Sequence, residues 1–264
     1  MKPAPLPLVS IVTPSYNQGR YLEATIQSVI GQDYPHIEYL VVDGGSGDGS
    51  LEIIRKYADR LTWWVSEKDS GQTDAINKGF AHSSGQILAW LNSDDTYEPR
   101  AVGKAVKYLM THPEAGLVYA ECNFINDEGR IIGRFPAAQT DLKRLRSGYS
   151  HIPQQTMFFR ASLWKEVGPL DPDFFFAMDY DLWTRLAARS ELHYVRGETW
   201  ANFRLHTSGK TITSDDRCWP EMLRVHYRDG GSFFSPLVAR YYARKLLAPL
   251  WNWRRRRMLS RPPS

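Results

Sequence analysis

The chain contains only two cysteines, Cys122 and Cys218, among its 264 residues. Two cysteines do not provide the disulfide framework of small secreted domains, and free, partly buried thiols suit a reducing compartment. No stretch reaches the roughly 18 apolar residues that a membrane-spanning helix requires. The segment from Met1 to Pro7 is rich in proline and lacks the apolar core of a signal peptide. The sequence therefore predicts a cytoplasmic protein.

Two common nucleotide-binding signatures are missing as well. The sequence has no G-x-x-x-x-G-K-[ST], which excludes a P-loop. It has no G-x-G-x-x-G after its first predicted strand, which disfavours a dinucleotide-binding fold. Any nucleotide site in this protein must therefore be built from other residues.

Apolar residues make up 42% of the chain and aromatic residues 13%, which is enough for a sizeable core. Up to about Cys122, short apolar runs alternate with helical patterns. Such alternation is typical of a parallel sheet covered on both faces, and right-handed crossovers then give a doubly wound α/β sheet. The predicted strands are Val9–Val12, Ile37–Val42, Leu61–Val65 and Gln86–Leu91, and the predicted helices are Arg20–Ile30, Ser50–Ala58 and Thr73–His82.

The second half of the sequence has a different pattern. Leu117–Ile125 and Arg130–Phe135 flank a turn sequence and predict a hairpin, and Ser162–Val167 and Asp179–Ala188 predict helices. We predict one domain over residues 1–232, with a nucleotide-binding half at about 8–122 and an acceptor half at about 123–210. Residues 233–264 form a basic, amphipathic extension in this prediction.

Three polar clusters follow predicted strands: Pro14–Asn17, Asp43–Gly49 and Asn92–Asp95. Ligands of open α/β sheets bind at the carboxyl ends of strands, so the clusters predict one ligand site at that edge. Within them, Tyr16 can stack on a nucleotide base, and the Asp43 carboxylate can accept from a base N–H. Ordinary packing of the Tyr16 ring is the open alternative.

The Asn92–Asp95 cluster holds two adjacent carboxylates, Asp94 and Asp95, which repel each other unless a positive charge lies nearby. A hard divalent cation with oxygen ligands meets that need and can also hold a diphosphate. The alternative is that the Asn92–Asp95 cluster is only a capped turn before a helix that begins near Pro99. His206 is a second candidate metal ligand, although a lone histidine is more often not a ligand.

Asp179 and Asp181 lie at the start of a predicted helix. A transferase that acts on a hydroxyl needs a general base, and a carboxylate can serve once the leaving group is good. The alternative is that both acids only cap the helix and complement its dipole.

These residues resemble the family 2 glycosyltransferases. The likeness spans roughly Leu8 to Lys210 and follows the order of the family's motifs. The blocks that carry it are Val9–Asn17, the Ser28, Val29 and Gln32 positions followed by Tyr39–Ser46, Gly71–Gly79, Asn92–Asp95 at the D-x-D signature, and Met178–Arg185 at the acidic E-D motif.

The resemblance implies a GT-A fold with a mixed sheet flanked by helices, and inverting transfer of a sugar from a nucleotide-diphosphate donor, commonly a UDP-sugar. It implies a divalent cation, Mn²⁺ or Mg²⁺, and a saccharide or lipid-linked acceptor. Asp179 would be the catalytic base, and Asp94 and His206 would hold the metal. The implied nucleotide-binding residues are Pro14, Tyr16, Asn17, Asp43, Gln72, Asp74, Lys78, Asn92, Ser93 and Asp94. Lys78, Arg204 and Lys210 are further candidates for contact with the diphosphate.

Two positions depart from the family pattern. Asn92 replaces the first acid of D-x-D, which lowers the metal affinity that we expect, and Met178 replaces the Glu of the E-D motif. Two other functions stay open. The first is a sugar-nucleotide nucleotidyltransferase, which also uses a nucleotide, a metal and paired acids on a related sheet. The second is a degenerate, membrane-associated scaffold that kept only the fold, which the two departures make conceivable. The first would usually show a Gly-rich basic loop after strand one, where this chain has Pro14–Arg20.

The net charge is +4, and much of the excess lies in Arg254–Arg257 and Arg261. Val238–Trp253 has apolar residues at helical spacing, with Pro249 as an expected break. Trp251 and Trp253 beside the arginines predict contact with anionic lipid at the inner face of the cell membrane, rather than with nucleic acid. The alternative is an apolar face that packs on the catalytic domain or forms a homodimer.

Overall fold

The computed structural model describes residues 5–149, 151–207, 209–210 and 215–246. Within these residues, one sheet is flanked by helices. The strands are β1 (Val9–Ser15), β2 (Ile37–Asp43), β3 (Trp63–Ser66), β4 (Ile87–Trp90), β5 (Thr96–Tyr97), β6 (Ala115–Ile125), β7 (Ile131–Arg134), β8 (Phe158–Arg160) and β9 (Glu191–Arg204). The helices are α1 (Gly19–Ile30), α2 (Ser50–Lys56), α3 (Gln72–Ala81), α4 (Ala101–Thr111), α5 (Leu142–Arg146), α6 (Ala161–Val167), α7 (Met178–Ala187) and α8 (Asp215–Arg228), and a last helix spans 236–246.

The sheet has the strand order β3-β2-β1-β4-β8-β6-β9-β5, with β7 paired to β6 outside this path. Strands β1 to β4 are parallel, which confirms the four strands predicted from the first half of the sequence. The short strand β8 runs antiparallel to both β4 and β6, so the sheet as a whole is mixed. Because β8 reverses between them, β6 and β4 point the same way.

Helices cover both faces of the sheet, which confirms the doubly wound α/β architecture. Ile76 and Phe80 of α3 pack on one face together with α6 and α7. Leu22 and Ile26 of α1 pack on the other face together with α2 and α4. At Gly79 of α3 a Cβ atom would lie 2.4 Å from a Val12 methyl group, so only glycine lets α3 lie this close to β1.

Strands β5, β8 and β9 are absent from the sequence prediction. Two of them are only two and three residues long. Strand β9 has 14 residues, but many are polar and partly exposed, which hides the apolar pattern of a buried strand. It pairs in parallel with β6, with register shifts near Glu121. Its end delivers Arg204 and His206 to the carboxyl end of the sheet, and those residues matter for the site.

Asp181 fixes the position of α7. Its carboxylate is fully buried and forms ion pairs with Arg185, one turn later, and with Arg228 at the end of α8. Arg185 also donates to the carbonyl oxygens of Val167 and Gly168. Because a buried carboxylate is stable only when it is paired, these contacts hold α7 against α8 and the preceding loop.

The predicted C-terminal amphipathic helix is present in part. Leu237 and Val238 are buried, and Leu237 belongs to the core cluster that includes α7, so the first turn of the helix packs on the body of the fold. Leu246 is 77% exposed at the end of the described residues. Residues 247–264, with Trp251, Trp253 and the arginines from Arg254 to Arg261, lie outside the described residues. In the ranges that are described, each helix is too short or too polar to cross a membrane.

Candidate functional site

A cavity of about 1090 Å³ opens at the carboxyl ends of β1 and β4 and extends toward α7 and α8. The ligand site that the sequence predicts lies at this edge of the sheet. The predicted site residues that line the cavity are Pro14, Tyr16, Gln72, Asn92, Ser93, Asp94, Asp179 and His206. Residues that lie far apart in the sequence therefore share one space large enough for a nucleotide sugar.

The end of β1 forms one wall of this cavity. Tyr16 is 62% exposed there, which leaves its ring open to stacking. The neighbouring Ser15 hydroxyl is buried and has no hydrogen-bond partner among the described residues. Gly44 and Gly45 line the same wall, and Gly45 has a φ of +79°, a conformation that favours glycine. This wall combines an open aromatic face with an unsatisfied hydroxyl.

Asp43 and Asn17 lie behind this wall and organise it. Asp43 is fully buried, and its carboxylate accepts from the N–H groups of Gly45 and Ser46 and from the hydroxyl groups of Ser46 and Ser66. Asn17 donates its N–H to the Ser46 hydroxyl and accepts from the Gly47 N–H. Neither residue is among those that line the cavity. In this geometry both hold the two strand-end loops together.

Asp74 and Lys78 are not brought to the cavity. Asp74 accepts from the Ser70 N–H in the first turn of α3. The Lys78 ammonium pairs with Glu67 at 2.7 Å. Both positions follow Gln72 on α3, and neither is among the residues that line the cavity. Their role in nucleotide binding stays a prediction.

Asn92 links neighbouring groups at the end of β4. Its amide oxygen accepts from Gln72 at 2.7 Å, and its amide nitrogen donates to Asp95 and Gln154, each at 3.3 Å. An aspartate here would be a third carboxylate beside Asp94 and Asp95 and could not donate. A neutral amide at this position, where the D-x-D signature has an acid, therefore avoids that repulsion and can donate as well as accept.

Asp95 points into the protein rather than into the cavity. Its carboxylate is fully buried and accepts from the Arg204 N–H at 2.9 Å and the Gln155 amide at 3.0 Å, besides Asn92. Burial and the adjacent Asp94 carboxylate raise the pKa of Asp95 well above its usual range. The three donors work against that shift and stabilise the carboxylate as an acceptor.

Asp94 and His206 meet at the cavity surface. The Asp94 Oδ2 atom lies 3.0 Å from His206 Nε2, and the imidazole is held in place by the Tyr21 ring, 4.9 Å away between centroids. Two adjacent ligands at about 2.1 Å from an octahedral ion also lie about 3.0 Å apart, so the pair fits a divalent cation. No group of three or more potential ligands occurs in the described part of the chain, so diphosphate and water oxygens would complete the coordination.

The guanidinium of Arg204 is hydrogen-bonded to the protein backbone. Its guanidinium donates to the carbonyl oxygens of Asp94, Asn126 and Asp127 and lies 4.8 Å from the centre of the Tyr21 ring. Its side chain therefore fixes the loop around Asp94 more than it offers donors to a diphosphate. Lys210, in contrast, lines the cavity and donates to the Gln72 side chain at 2.9 Å.

Asp179 lines the cavity at the first turn of α7. Burial raises its pKa to about 6, with an opposing contribution from the Tyr180 N–H and the Lys210 charge. Burial lowers the pKa of Lys210 to about 8, against the attraction of Asp179 and Glu221. A carboxylate with a pKa near 6 is ionised at neutral pH and can still accept a proton, as a general base must.

Glu221 of α8 is a residue that sequence reasoning missed. Its carboxylate accepts from the N–H groups of Phe175, Phe176 and Ala177, just before α7. Met178, at the position of the family's Glu, is buried and accepts from the Thr73 hydroxyl. The acid that stabilises the start of α7 thus comes from another helix, and no local motif could have revealed it.

Other wall residues were also missed. Asp69 lies against Gly44, where a Cβ atom would come within 2.9 Å of the Asp69 carboxylate. Its position just before Gly71 is the sequence feature that could have indicated it. Gln154 and Gln155 enter from a short 3₁₀ helix, Gln154–Thr156, in a segment without a readable pattern. Phe175 and Trp219 line the far side of the cavity, and only the folded chain brings them there.

The chain resembles known proteins over most of its length. The family model described as "Glycosyl transferase family 2" matches residues 10–178. Glycosyltransferase MT1564 of Mycobacterium tuberculosis is 35% identical over 193 residues, which cover 72% of each chain. TuaG of Bacillus subtilis, named for teichuronic acid biosynthesis, is 37% identical over 107 residues, which are 39% of this chain and 42% of TuaG.

Two solved structures share the fold. S. aureus TarS 1–349 in complex with UDP-GlcNAc has a TM-score of 0.68 at 17% identity, and the match covers 83% of this chain and 64% of TarS 1–349. The mannosyltransferase PcManGT from Pyrobaculum calidifontis, in complex with GDP-Man and Mn²⁺, has a TM-score of 0.66 at 22% identity, over 91% of this chain and 70% of PcManGT. These likenesses confirm the expected GT-A fold. The family match over most of the sheet and the M. tuberculosis relative together show that this chain belongs to glycosyl transferase family 2.

Proposed function

We propose that this protein is a metal-dependent, inverting glycosyltransferase. It moves a sugar from a nucleotide-diphosphate sugar, with UDP as the preferred nucleotide, to a hydroxyl of a saccharide or lipid-linked acceptor in the synthesis of a cell-surface polysaccharide. The observation that carries the proposal is the convergence of the Asp94–His206 pair, Tyr16 and Asp179 on one cavity. UDP-GlcNAc in TarS, GDP-Man with Mn²⁺ in PcManGT, and the name of TuaG support the substrate class.

In the proposed complex the base stacks on Tyr16 and the diphosphate lies between Lys210 and the Asp94–His206 pair. A divalent cation held by that pair would neutralise the charge that grows on the departing nucleoside diphosphate. Asp179 takes the proton of the acceptor hydroxyl as its oxygen attacks the anomeric carbon. A single displacement with a base on the attacking side inverts the configuration of that carbon.

Calorimetric titration with UDP, with and without Mn²⁺, tests whether the site binds nucleotide. We expect binding that Mn²⁺ strengthens, because the cation would bridge the diphosphate to Asp94. A protein that bound no UDP under either condition would fit the degenerate scaffold instead. A nucleotidyltransferase would be indicated if a nucleoside triphosphate and a sugar phosphate were converted to a nucleotide sugar.

Replacing Asp94 with alanine should abolish metal-dependent transfer while the protein stays folded. Asp94 is partly exposed at the cavity and its carboxylate contacts His206, so its loss removes the proposed metal ligand rather than a core contact. The measurement is donor turnover at a range of Mn²⁺ concentrations. Full turnover by a folded Asp94→Ala protein would remove the metal-site proposal.

Replacing Asp179 with asparagine should lower kcat by about 10² to 10⁴, as loss of a general base does, and leave UDP affinity nearly unchanged. Asp181→Asn is the matched control from the same helix. It removes charge from the ion pairs with Arg185 and Arg228, so we expect a lower Tm but activity per folded molecule close to that of the wild type. If the control loses the activity instead, the base has been assigned to the wrong acid.

The pH dependence of kcat/KM should be bell-shaped. Asp179 acts only when ionised, so activity rises as pH increases through its pKa of about 6. Lys210 holds the diphosphate only while protonated, so activity falls as pH increases through its pKa of about 8. Initial rates between pH 5 and pH 9 check this, and Lys210→Met should abolish the alkaline fall. An unchanged alkaline fall in that variant would assign it to another group.

We also propose that the C-terminal region binds an anionic membrane surface at the inner face of the cell membrane. Phe234 is 93% exposed and Phe233 is 58% exposed, just before the 236–246 helix, and Tyr242 and Leu246 are exposed on that helix. The basic run that begins at Arg254 follows in the sequence. Exposed aromatic rings next to basic residues are typical of proteins that lie on the membrane surface.

Sedimentation with anionic liposomes at low salt tests this membrane proposal. We expect the wild-type protein to pellet, and the double variant Phe233→Ser, Phe234→Ser to bind about tenfold or more weakly, because each buried Phe contributes about 1.5–3 kcal/mol. These two side chains are exposed, so the change leaves the core intact. Wild-type protein that remained in the supernatant would show that the tail serves packing or dimer formation.

A further inference from the structure

Asp69 lies on the wall of the cavity that carries Tyr16. It follows β3 in the chain, and its carboxylate lies against the Cα atom of Gly44 at the end of β2, where a Cβ atom would come within 2.9 Å of Asp69 Oδ2. The Gly44 N–H in turn donates to the carbonyl oxygen of Ser15 at 2.8 Å, directly before Tyr16. The Asp69 carboxylate and the Tyr16 ring therefore belong to one group of contacts at the ends of β1 and β2.

The strand order separates this carboxylate from the proposed metal ligands. Strands β3, β2, β1 and β4 lie side by side in that order, with Asp69 in the loop after β3 and Asp94 after β4. Three strand spacings of about 4.8 Å put roughly 14 Å between the ends of β3 and β4. That distance is comparable with the length of an extended nucleoside diphosphate. If the proposed function holds, a diphosphate beside Asp94 therefore places the base, rather than the ribose, beside Asp69.

One oxygen of the Asp69 carboxylate is available to a ligand. Oδ1 accepts from the Gly71 N–H at 2.9 Å, whereas no donor of a described residue contacts Oδ2. Burial raises the pKa of Asp69 against the effect of the Gly71 N–H, so a further donor beside the carboxylate would stabilise its ionised form. Asp43 cannot offer the same contact, because its carboxylate is fully buried and hydrogen-bonded within the loop at the end of β2.

We infer that Asp69 recognises the base of the donor nucleotide by accepting a hydrogen bond from N3–H of uracil. An ionised carboxylate can only accept, and N3–H is the single N–H donor of the uracil ring in a nucleotide. Cytosine presents a lone pair at the same position, which the carboxylate would repel. Guanine presents two neighbouring donors and matches a carboxylate with both oxygens free, whereas Gly71 already engages Oδ1 of Asp69. Asp69 thereby favours UDP-sugars over the sugars of other nucleotides.

Calorimetric titration of the full chain with Mn²⁺ tests this with UDP and with 3-methyl-UDP, in which a methyl group replaces the N3 hydrogen. We expect the wild type to bind UDP at least about tenfold more tightly, as the loss of a hydrogen bond to a charged acceptor predicts. Asp69→Ala should bind the two nucleotides equally, whereas a merely structural role would weaken both and leave their ratio unchanged. Asp69→Asn should raise the affinity for CDP relative to UDP, because an amide can donate to N3 of cytosine.

Glu67→Gln is the matched control in the same loop, because Glu67 pairs with Lys78 outside the cavity lining, and this variant should keep the wild-type ratio. In Gly44→Ala the added Cβ atom would displace the Asp69 carboxylate, so the preference for UDP should fall although Asp69 is still present. Equal binding of UDP and 3-methyl-UDP by the wild type, or a preference that survives in Asp69→Ala, would overturn the inference. A wild type that bound neither nucleotide would refute the proposed function and the inference with it.

Discussion

The buried carboxylate of Asp95 is the contact on which the site depends. It receives hydrogen bonds from the Arg204 N–H at the end of β9, from the Gln155 side chain and from Asn92. These donors come from three separate parts of the chain. By holding the end of β9 against the end of β4, Asp95 places His206 within 3.0 Å of Asp94. A buried donor or acceptor that is left unpaired costs free energy, so the Asp95 carboxylate stabilises only an arrangement in which these donors reach it.

Charge is distributed unevenly around the cavity. Asp94, Asp69 and Lys210 lie on the proposed donor side, Asp179 lies at the start of α7, and Arg244 lies toward the proposed acceptor side. Asn92 keeps the donor side from gaining another negative charge and ties Gln72 to the end of β4. At the start of α7, Met178 packs in the core. The carboxylate that accepts from the backbone N–H groups before this helix belongs to Glu221 of α8. Asn92 and Met178, the two departures from the family pattern, thus both have identified hydrogen-bond partners in this structure.

Much of the first half could be predicted from the sequence because its signals are local. Apolar runs such as Ile37–Val42 and the polar residues that follow them give both the strands and the edge where ligands bind. The exposed Tyr16, the Asp94–His206 pair and Asp179 follow from this order of motifs. The roles of individual residues were harder to predict. Asp43 has the expected position but faces the loop behind the wall, and Lys78 pairs with Glu67 instead of reaching the cavity. Glu221, Gln155 and Trp219 reach the site through contacts between distant segments, for which no periodicity exists.

The central claim is a single displacement at the anomeric carbon of a nucleotide sugar. The most direct test is proton NMR of the wild-type enzyme with Mn²⁺ and a panel of nucleotide sugars, with water as the acceptor. Asp179 would activate a water molecule at the place of the acceptor hydroxyl. The account predicts that one donor is cleaved and that the sugar released first has the anomeric configuration opposite to that of the donor. First release of a sugar with retained configuration, or no cleavage of any donor, would contradict it.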